Sequence, residues 1–256
     1  MKIGISRPSW KTGENEEIVR FASMYPFDGI QLKPHQYEPL KTDADELRKS
    51  YGEAAYLAQG GMIVYPSLSY QKWPNQFDQF FSFMKGVGGK QVCVCAGLQK
   101  EHLDDTGVKG LATILNELGK RANDAGAVLS LHNHADTILE SVEDIYAVFD
   151  TINPDYCGLT FDTAHAAKGG MTDLADALQQ FKPLINNIHL KDLSKEGSFT
   201  VLGRGTLDLA SVCRTVKEWS YDDWLIVDEE TRDVSVEEAF SQSVNFLQAQ
   251  KLMTVE

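Results

Sequence analysis

Residues 129–137 read Leu-Ser-Leu-His-Asn-His-Ala-Asp-Thr, an apolar run that ends in two histidines two positions apart. Side chains of a strand alternate between its faces, so His132 and His134 point the same way. Three further stretches have this form, a strand-like run closed by residues able to bind a metal or carry a proton: Phe161-Asp162-Thr163-Ala164-His165, His189-Leu190-Lys191-Asp192 and Val227-Asp228-Glu229-Glu230. Imidazole nitrogen and carboxylate oxygen together suit Mn²⁺, Co²⁺, Zn²⁺ or Fe²⁺. His132, Asp162, His189 and Asp228 are therefore the candidate ligands of one divalent ion. Glu230 replaces Asp228 if the last strand is shifted, since alternation puts these two on one face and Glu229 on the other. Imidazole is also matched to proton transfer at neutral pH, which makes His132 and His165, with Asp228, the candidate catalytic groups.

Each residue also has a structural reading. Asp162 could cap a following helix, although Gly169-Gly170 separate it from the next helical pattern. His189 could be a hydrogen-bonded core histidine, and Lys191 with Asp192 a solvated loop pair. Convergence decides in favour of a site, because four histidines and the most suspicious carboxylates all fall at the ends of apolar runs.

Those runs must be positioned by something. Short β-branched segments at 2–6, 29–33, 62–66, 91–95, 128–132, 158–162, 187–191 and 224–228 alternate with helical patterns at 14–23, 43–59, 75–86, 108–125, 141–150, 173–181, 207–218 and 236–250. Alternation of this kind predicts a parallel sheet covered by helices. Thr42-Asp43 reads as a helix cap, and Ser141 with Asp144 as a capping box. Eight βα units in roughly 250 residues predict an α/β fold, a single (β/α)₈ TIM barrel over residues 1–256, with an open doubly wound sheet as the alternative. In either fold ligands bind at the carboxyl ends of the strands, where the suspect residues lie.

Composition bounds the function. The chain has 256 residues, 43% hydrophobic and 24% charged, and the net charge of −13 opposes binding of nucleic acid. No apolar run approaches the roughly 18 residues of a membrane span, and the N-terminus lacks the pattern of a signal peptide, so a cytoplasmic location is expected. The four cysteines, Cys93, Cys95, Cys157 and Cys213, lack zinc-site spacing and read as buried thiols. No glycine-rich phosphate cradle is present, which favours an unphosphorylated substrate. Lys33 and His35 follow the second run, Trp10 the first and Trp73 the third. Lys33 could meet a sugar hydroxyl, and aromatic faces such as Trp10 pack well on sugar C–H surfaces.

Phe161-Asp162-Thr163-Ala164-His165, Ile188-His189-Leu190-Lys191-Asp192 and Leu202-Gly203-Arg204-Gly205-Thr206-Leu207-Asp208, in that order, resemble the xylose isomerase-like barrel superfamily from about residue 127 onward. That superfamily holds sugar isomerases, ketose epimerases, inosose dehydratases and apurinic-site endonucleases. The resemblance implies that Asp162 and His189 are metal ligands, that His165 touches substrate, and that Arg204 binds it. His134 and Lys191 line the same pocket. Epimerases of the superfamily carry glutamates at the ends of strands five and eight, where this chain has His132 and Asp228. A His-x-His after strand five resembles the inosose dehydratase branch.

The leading expectation is thus a metal-dependent isomerase or epimerase of a small sugar or polyol, acting by proton abstraction beside a metal-bound carbonyl. The alternative is an inosose dehydratase-like lyase. Mn²⁺ is the expected ion, with Co²⁺, Zn²⁺, Mg²⁺ and Fe²⁺ as alternatives. A non-catalytic sugar-binding barrel is a further reading. A nuclease is disfavoured because the chain has only six histidines and none after His189. Barrels of this kind often pair, so a homodimer is the expected assembly.

Overall fold

The protein is described here by a computed structural model, which covers residues 1–40 and 43–254. Among the described residues ten strands occur in chain order: β1 (Lys2–Ser6), β2 (Gly29–Ile30), β3 (Met62–Val64), β4 (Gln91–Val94), β5 (Val128–His132), β6 (Cys157–Asp162), β7 (Ile185–Leu190), β8 (Asp192–Leu193), β9 (Phe199–Thr200) and β10 (Trp224–Asp228). Eight of them form one sheet in the order β2-β1-β10-β7-β6-β5-β4-β3, every pair parallel. The edges meet through one residue beyond β2. Leu32 bridges Met62, with Leu32 N–H donating to Gly61 O at 2.8 Å and Ile63 N–H donating to Leu32 O at 2.9 Å. Closure of an eight-stranded parallel sheet makes the (β/α)₈ barrel that the alternation predicts. Gly61 allows this seam because it has φ +87 and a side chain there would run into the backbone of Gln91.

Strand alternation sorts the side chains into two environments. Leu129, Leu131, Leu159, Phe161, Ile188, Leu190, Leu225 and Val227 are buried with the helices in the main core. On β5, β6 and β7 the inward neighbours include a run of polar side chains. Gln91 Nε2 donates to Ser130 Oγ at 2.9 Å, Thr160 Oγ1 donates to Ser130 Oγ at 2.6 Å, and Asn187 Nδ2 donates to Thr160 Oγ1 at 3.1 Å. Two residues further along the same strands stand His132, Asp162 and His189. The inner layer thus forms a hydrogen-bonded floor, and the next layer carries the chemistry. All four cysteines are buried free thiols, as expected.

The helices differ from expectation where local chemistry interrupts the pattern. The stretch expected as one helix over 43–59 is an α-helix Ala44–Tyr51 followed by 3₁₀ turns Gly52–Gly60, with Gly52 at φ +54 between them. Asp43 caps the first part by accepting from Asp45 N–H at 2.9 Å and Glu46 N–H at 3.4 Å, while Thr42 lies outside the described residues. Ser141 and Asp144 form the expected capping box of Val142–Phe149. The helix Thr163–Lys168 and the antiparallel hairpin of β8 and β9 were not expected. Trp73 packs in the core and donates from Nε1 to Ser67 O at 2.7 Å, so it does not shape the barrel mouth. Among the described residues no helix is long and apolar enough to cross a membrane.

Candidate metal centre and active site

His132, Asp162, His189 and Asp228 are all buried, and one ligand atom from each lies within 4.8 Å of the others. Asp162 is the pivot. Its Oδ1 accepts from His165 N–H at 2.9 Å and so caps the helix Thr163–Lys168, the role that the sequence made the lesser alternative. Asn133 fixes its backbone, donating to Asp162 O at 3.2 Å and accepting from Asp162 N–H at 2.7 Å. One oxygen thereby serves the helix, and the other, Oδ2, is buried without a hydrogen-bond partner. Burial alone would push this carboxyl upward, but the surrounding imidazoles and Lys191 hold it well below the usual carboxylate range.

Two imidazole nitrogens converge on that orphaned oxygen. His132 Nε2 stands 3.5 Å from it, His189 Nδ1 3.7 Å, and the two nitrogens are 3.2 Å apart. His189 Nε2 lies 2.8 Å from Gln31 Oε1, an acceptor, and 3.3 Å from Asn187 Nδ2, which donates instead to Thr160 Oγ1; the shorter contact puts the proton on Nε2, and Nδ1 offers its lone pair. Donors about 2.1 Å from one ion in tetrahedral directions lie roughly 3.4 Å apart. The triangle of two nitrogens and one ionised oxygen fits a divalent metal on spacing, charge and donor type.

Asp228 has different company. Its Oδ1 accepts from Lys33 Nζ at 2.7 Å and its Oδ2 from Lys191 Nζ at 2.7 Å. The same lysines hold Glu230, at 2.9 Å and 2.7 Å. These four charges form a closed, neutral quartet. Burial opposes ionisation of every member, yet the pairing keeps both lysines above and both carboxylates below their ordinary values. Removing one partner from such a buried set costs about 3–5 kcal/mol, because a charge is left uncompensated. Glu229 faces away to Arg7, whose buried guanidinium also donates to Thr231 O at 3.1 Å and Val234 O at 3.0 Å. The alternation expected at the end of this strand is therefore what the structure shows.

A second imidazole pair borders the centre. His134 and His165 stack with ring centroids 3.8 Å apart. Ala135 gives them opposite polarity: its carbonyl lies 2.7 Å from His134 Nδ1, and its N–H donates to His165 Nδ1 at 3.4 Å. His134 thus carries its proton on Nδ1 and exposes a bare Nε2, whereas His165 carries Nε2–H. Burial lowers both, His165 down to about 2, so both are neutral at neutral pH.

His132, His134, His165, Asp228, Glu230 and the two lysines line one cavity of about 260 Å³ together with Tyr65, Lys168 and Phe199, while Asp162 and His189 are fully buried behind that lining. His134, Lys33 and Lys191 therefore stand where substrate contact was expected. Arg204 and Trp10 do not line this cavity. Arg204 is exposed and pairs with Glu238 at 2.7 Å, and Trp10 packs under the Arg232 guanidinium at 4.4 Å on the surface. Lys191 and Asp192 are buried, not a solvated pair. Asp192 instead clamps the glycine loop, with Oδ2 accepting from Gly203 N–H and Gly205 N–H at 3.0 Å each. Gln31 was visible at a strand end, but nothing in the sequence gave it a role. Asn133 and Ala135 carried no signal, because they act through backbone contacts.

The sequence profile described as xylose isomerase-like TIM barrel matches residues 19–250. The inosose dehydratase of Yersinia enterocolitica serotype O:8 is 30% identical over 166 residues, 57% of this chain and 55% of that one. The chain thus spans little more than half the length of that relative. The inosose dehydratase of Clostridium perfringens is 26% identical over 273 residues, 90% of each chain. Among solved structures, an L-ribulose 3-epimerase superposes with a TM-score of 0.78 at 18% identity, covering 97% of this chain and 94% of that one.

Proposed function

The chain belongs to the xylose isomerase-like TIM barrel family, and from that premise we propose that it is a divalent-metal-dependent hydro-lyase acting on a small, unphosphorylated ketopolyol. The observation that carries dehydration over epimerisation is how the proton carriers are tied. Inverting a carbon centre needs a base on each face, but Asp228 and Glu230 have all four oxygens on lysine ammonium groups. The free imidazole lone pair belongs to the stacked pair of His134 and His165. Relatives named inosose dehydratase support the same reading.

His132, Asp162 and His189 would hold the ion, and a divalent ion there polarises a substrate carbonyl and so acidifies the adjoining C–H bond. Mn²⁺ is the ion we propose, and Co²⁺, Zn²⁺, Mg²⁺ and Fe²⁺ are chemically compatible with these donors. His134 Nε2 takes the carbon-bound proton, with its own Nδ1–H held by Ala135 O. The electron pair of that C–H bond becomes the new C=C bond as the neighbouring C–O bond breaks. The same imidazolium returns its proton to the departing hydroxyl, and water leaves. His165 Nε2–H donates a hydrogen bond to a substrate oxygen, and Lys191 and Lys33 present fixed positive charge toward hydroxyl or developing anionic oxygens. A cavity of about 260 Å³ lies below the roughly 300–1,000 Å³ usual for ligand pockets, which suits one ring and not an oligosaccharide. On this reading residues 1–256 act as one unit whose partner is a small molecule, with neither nucleic acid nor membrane required.

The test is product analysis by NMR after incubating the metal-loaded chain with a panel of inososes and ketoses. A product lighter by one water supports the proposal. An isomer or epimer of the starting sugar would replace it with the isomerase reading.

A further inference from the structure

We infer that an apolar groove beside the inner cavity is a second substrate subsite, which takes a neutral alkyl or aryl substituent carried by the ketopolyol. The inference rests on reading the inner cavity as the site of dehydration, and it deepens that reading by naming the kind of ketopolyol.

The groove has about 360 Å³ and runs over residues that follow β3 and β4, namely Tyr65, Pro66, Leu68, Ala96 and Gly97. It is continuous with the inner cavity, since Tyr65, Cys95, His134, Ala135 and Asp136 line both. The proposed base therefore stands at the junction. A substituent beside the carbon that His134 serves can lead inward or into the groove, and the inner cavity of about 260 Å³ suits one ring only. The groove is what remains for it.

The lining selects for apolar groups. Leu68 is 67% exposed and Tyr65 54%, and Leu68 is the most exposed large apolar side chain among the described residues. Single exposed apolar residues are ordinary on a surface, but these two share one groove with the base. Among the described residues no lysine or arginine lines it, and its carboxylate, Asp136, would repel an anion. Thr137 has both roles of its hydroxyl filled, donating to His134 O at 2.7 Å and accepting from Leu139 N–H at 3.2 Å. A second sugar would find only Gln99 and Asp136, both exposed, for its hydroxyls, whereas an alkyl chain or aromatic ring covers Tyr65 and Leu68 from water. The walls are fixed before anything binds. Cys95 N–H donates to Val64 O and Ile138 N–H to Leu98 O, each at 2.9 Å, which joins the ends of β3 and β4 and the turns after β4 and β5. The substituent takes no part in the bond changes and contributes binding alone.

The experiment is calorimetric titration of the Mn²⁺-loaded full chain with an inosose and with its mono-O-benzyl ethers, for the native chain, Leu68→Ser and Gly97→Leu. Gly97 is not left-handed, and a Cβ there meets only Leu68 Cδ2, at 3.4 Å, so Gly97→Leu fills the groove and leaves the barrel alone. Circular dichroism checks its folding, and Leu68→Ser, at an exposed position, carries the test if Gly97→Leu does not fold. Burial of an aromatic group of this size predicts that at least one ether binds the native chain about 10–100-fold more tightly than the inosose. That advantage should fall below about threefold in Gly97→Leu and shrink in Leu68→Ser, with the inosose itself bound as by the native chain. Ethers that bind no better than the inosose, or an advantage that both variants keep, overturn the subsite, and loss of water from the inosose in the same samples leaves the hydro-lyase reading standing. A native chain that neither binds nor dehydrates inosose or ether overturns both.

Discussion

At the residue scale the site is a matter of which atom of each group is left free. Gln31 does this for His189, from a position 158 residues away, by accepting a hydrogen bond from Nε2–H and leaving Nδ1 bare. Gln31→Leu removes the acceptor while keeping side-chain bulk, and Co²⁺ affinity should fall about 10–100-fold with little change in secondary structure, measured by calorimetric titration of the chelator-stripped chain and by circular dichroism. An unchanged affinity would show that the tautomer of His189 is set elsewhere. The histidines and Asp162 were legible in the sequence because strand alternation and the strand-end rule are local. Gln31 was not, because it meets His189 only across the folded barrel, and Asn133 and Ala135 were not, because they act through backbone contacts that residue type does not announce. Lys33 and Lys191 were legible as pocket residues but not as a pair, since Lys33 lies 195 residues from Asp228.

At the scale of elements, the turns after the strands do as much positioning as the strands. Asp162 divides its two oxygens between a helix cap and the imidazoles of His132 and His189, an economy missed because the helix it caps is only six residues long and ends before Gly169. Ser141 and Asp144 show a cap that was legible, since the box is written within four residues. Ser141→Ala should lower unfolding stability by about 1 kcal/mol with metal binding untouched, read by chemical denaturation. Burial tends to raise Asp144, but hydrogen bonds from Lys100 and Ser141 outweigh it and lower its value in the folded chain. A carboxyl depressed on folding contributes fully above its unfolded value and loses that contribution as pH falls through the folded one. The destabilisation caused by Ser141→Ala should therefore shrink as the medium is acidified through the carboxylate range, and a constant difference would argue against the ionised box. The hairpin of β8 and β9 left no readable trace, because two-residue strands carry too little alternation to register.

At the scale of the whole molecule the barrel was legible and its seam was not. Eight apolar runs at regular intervals gave the strand number, but the closing contact is a single bridge at Leu32, beyond a strand only two residues long. The residues proposed to hold the ion come from β5, β6 and β7, which are neighbours in the sheet, while Gln31 and the quartet of two lysines and two carboxylates tie the segments after β2 and at the end of β10 to them. An ion bound to the folded state alone stabilises the entire barrel. At a free concentration one hundred times the dissociation constant the gain is about 2.7 kcal/mol. The melting temperature should rise with Co²⁺ or Mn²⁺ and return on chelation, and Asp162→Asn should melt at the same temperature with and without the ion. A shift of equal size in that variant would place the ion elsewhere.

The most direct measurement follows carbon-bound hydrogen in D₂O, by NMR, as the metal-loaded chain meets an inosose. Dehydration at a one-base site predicts a product that has lost one water and one carbon-bound proton, formed by the native chain and slowed about 10²–10⁴-fold by His134→Gln with its metal content intact. An intact sugar inverted at one carbon and carrying deuterium there, or full activity in His134→Gln, would contradict it.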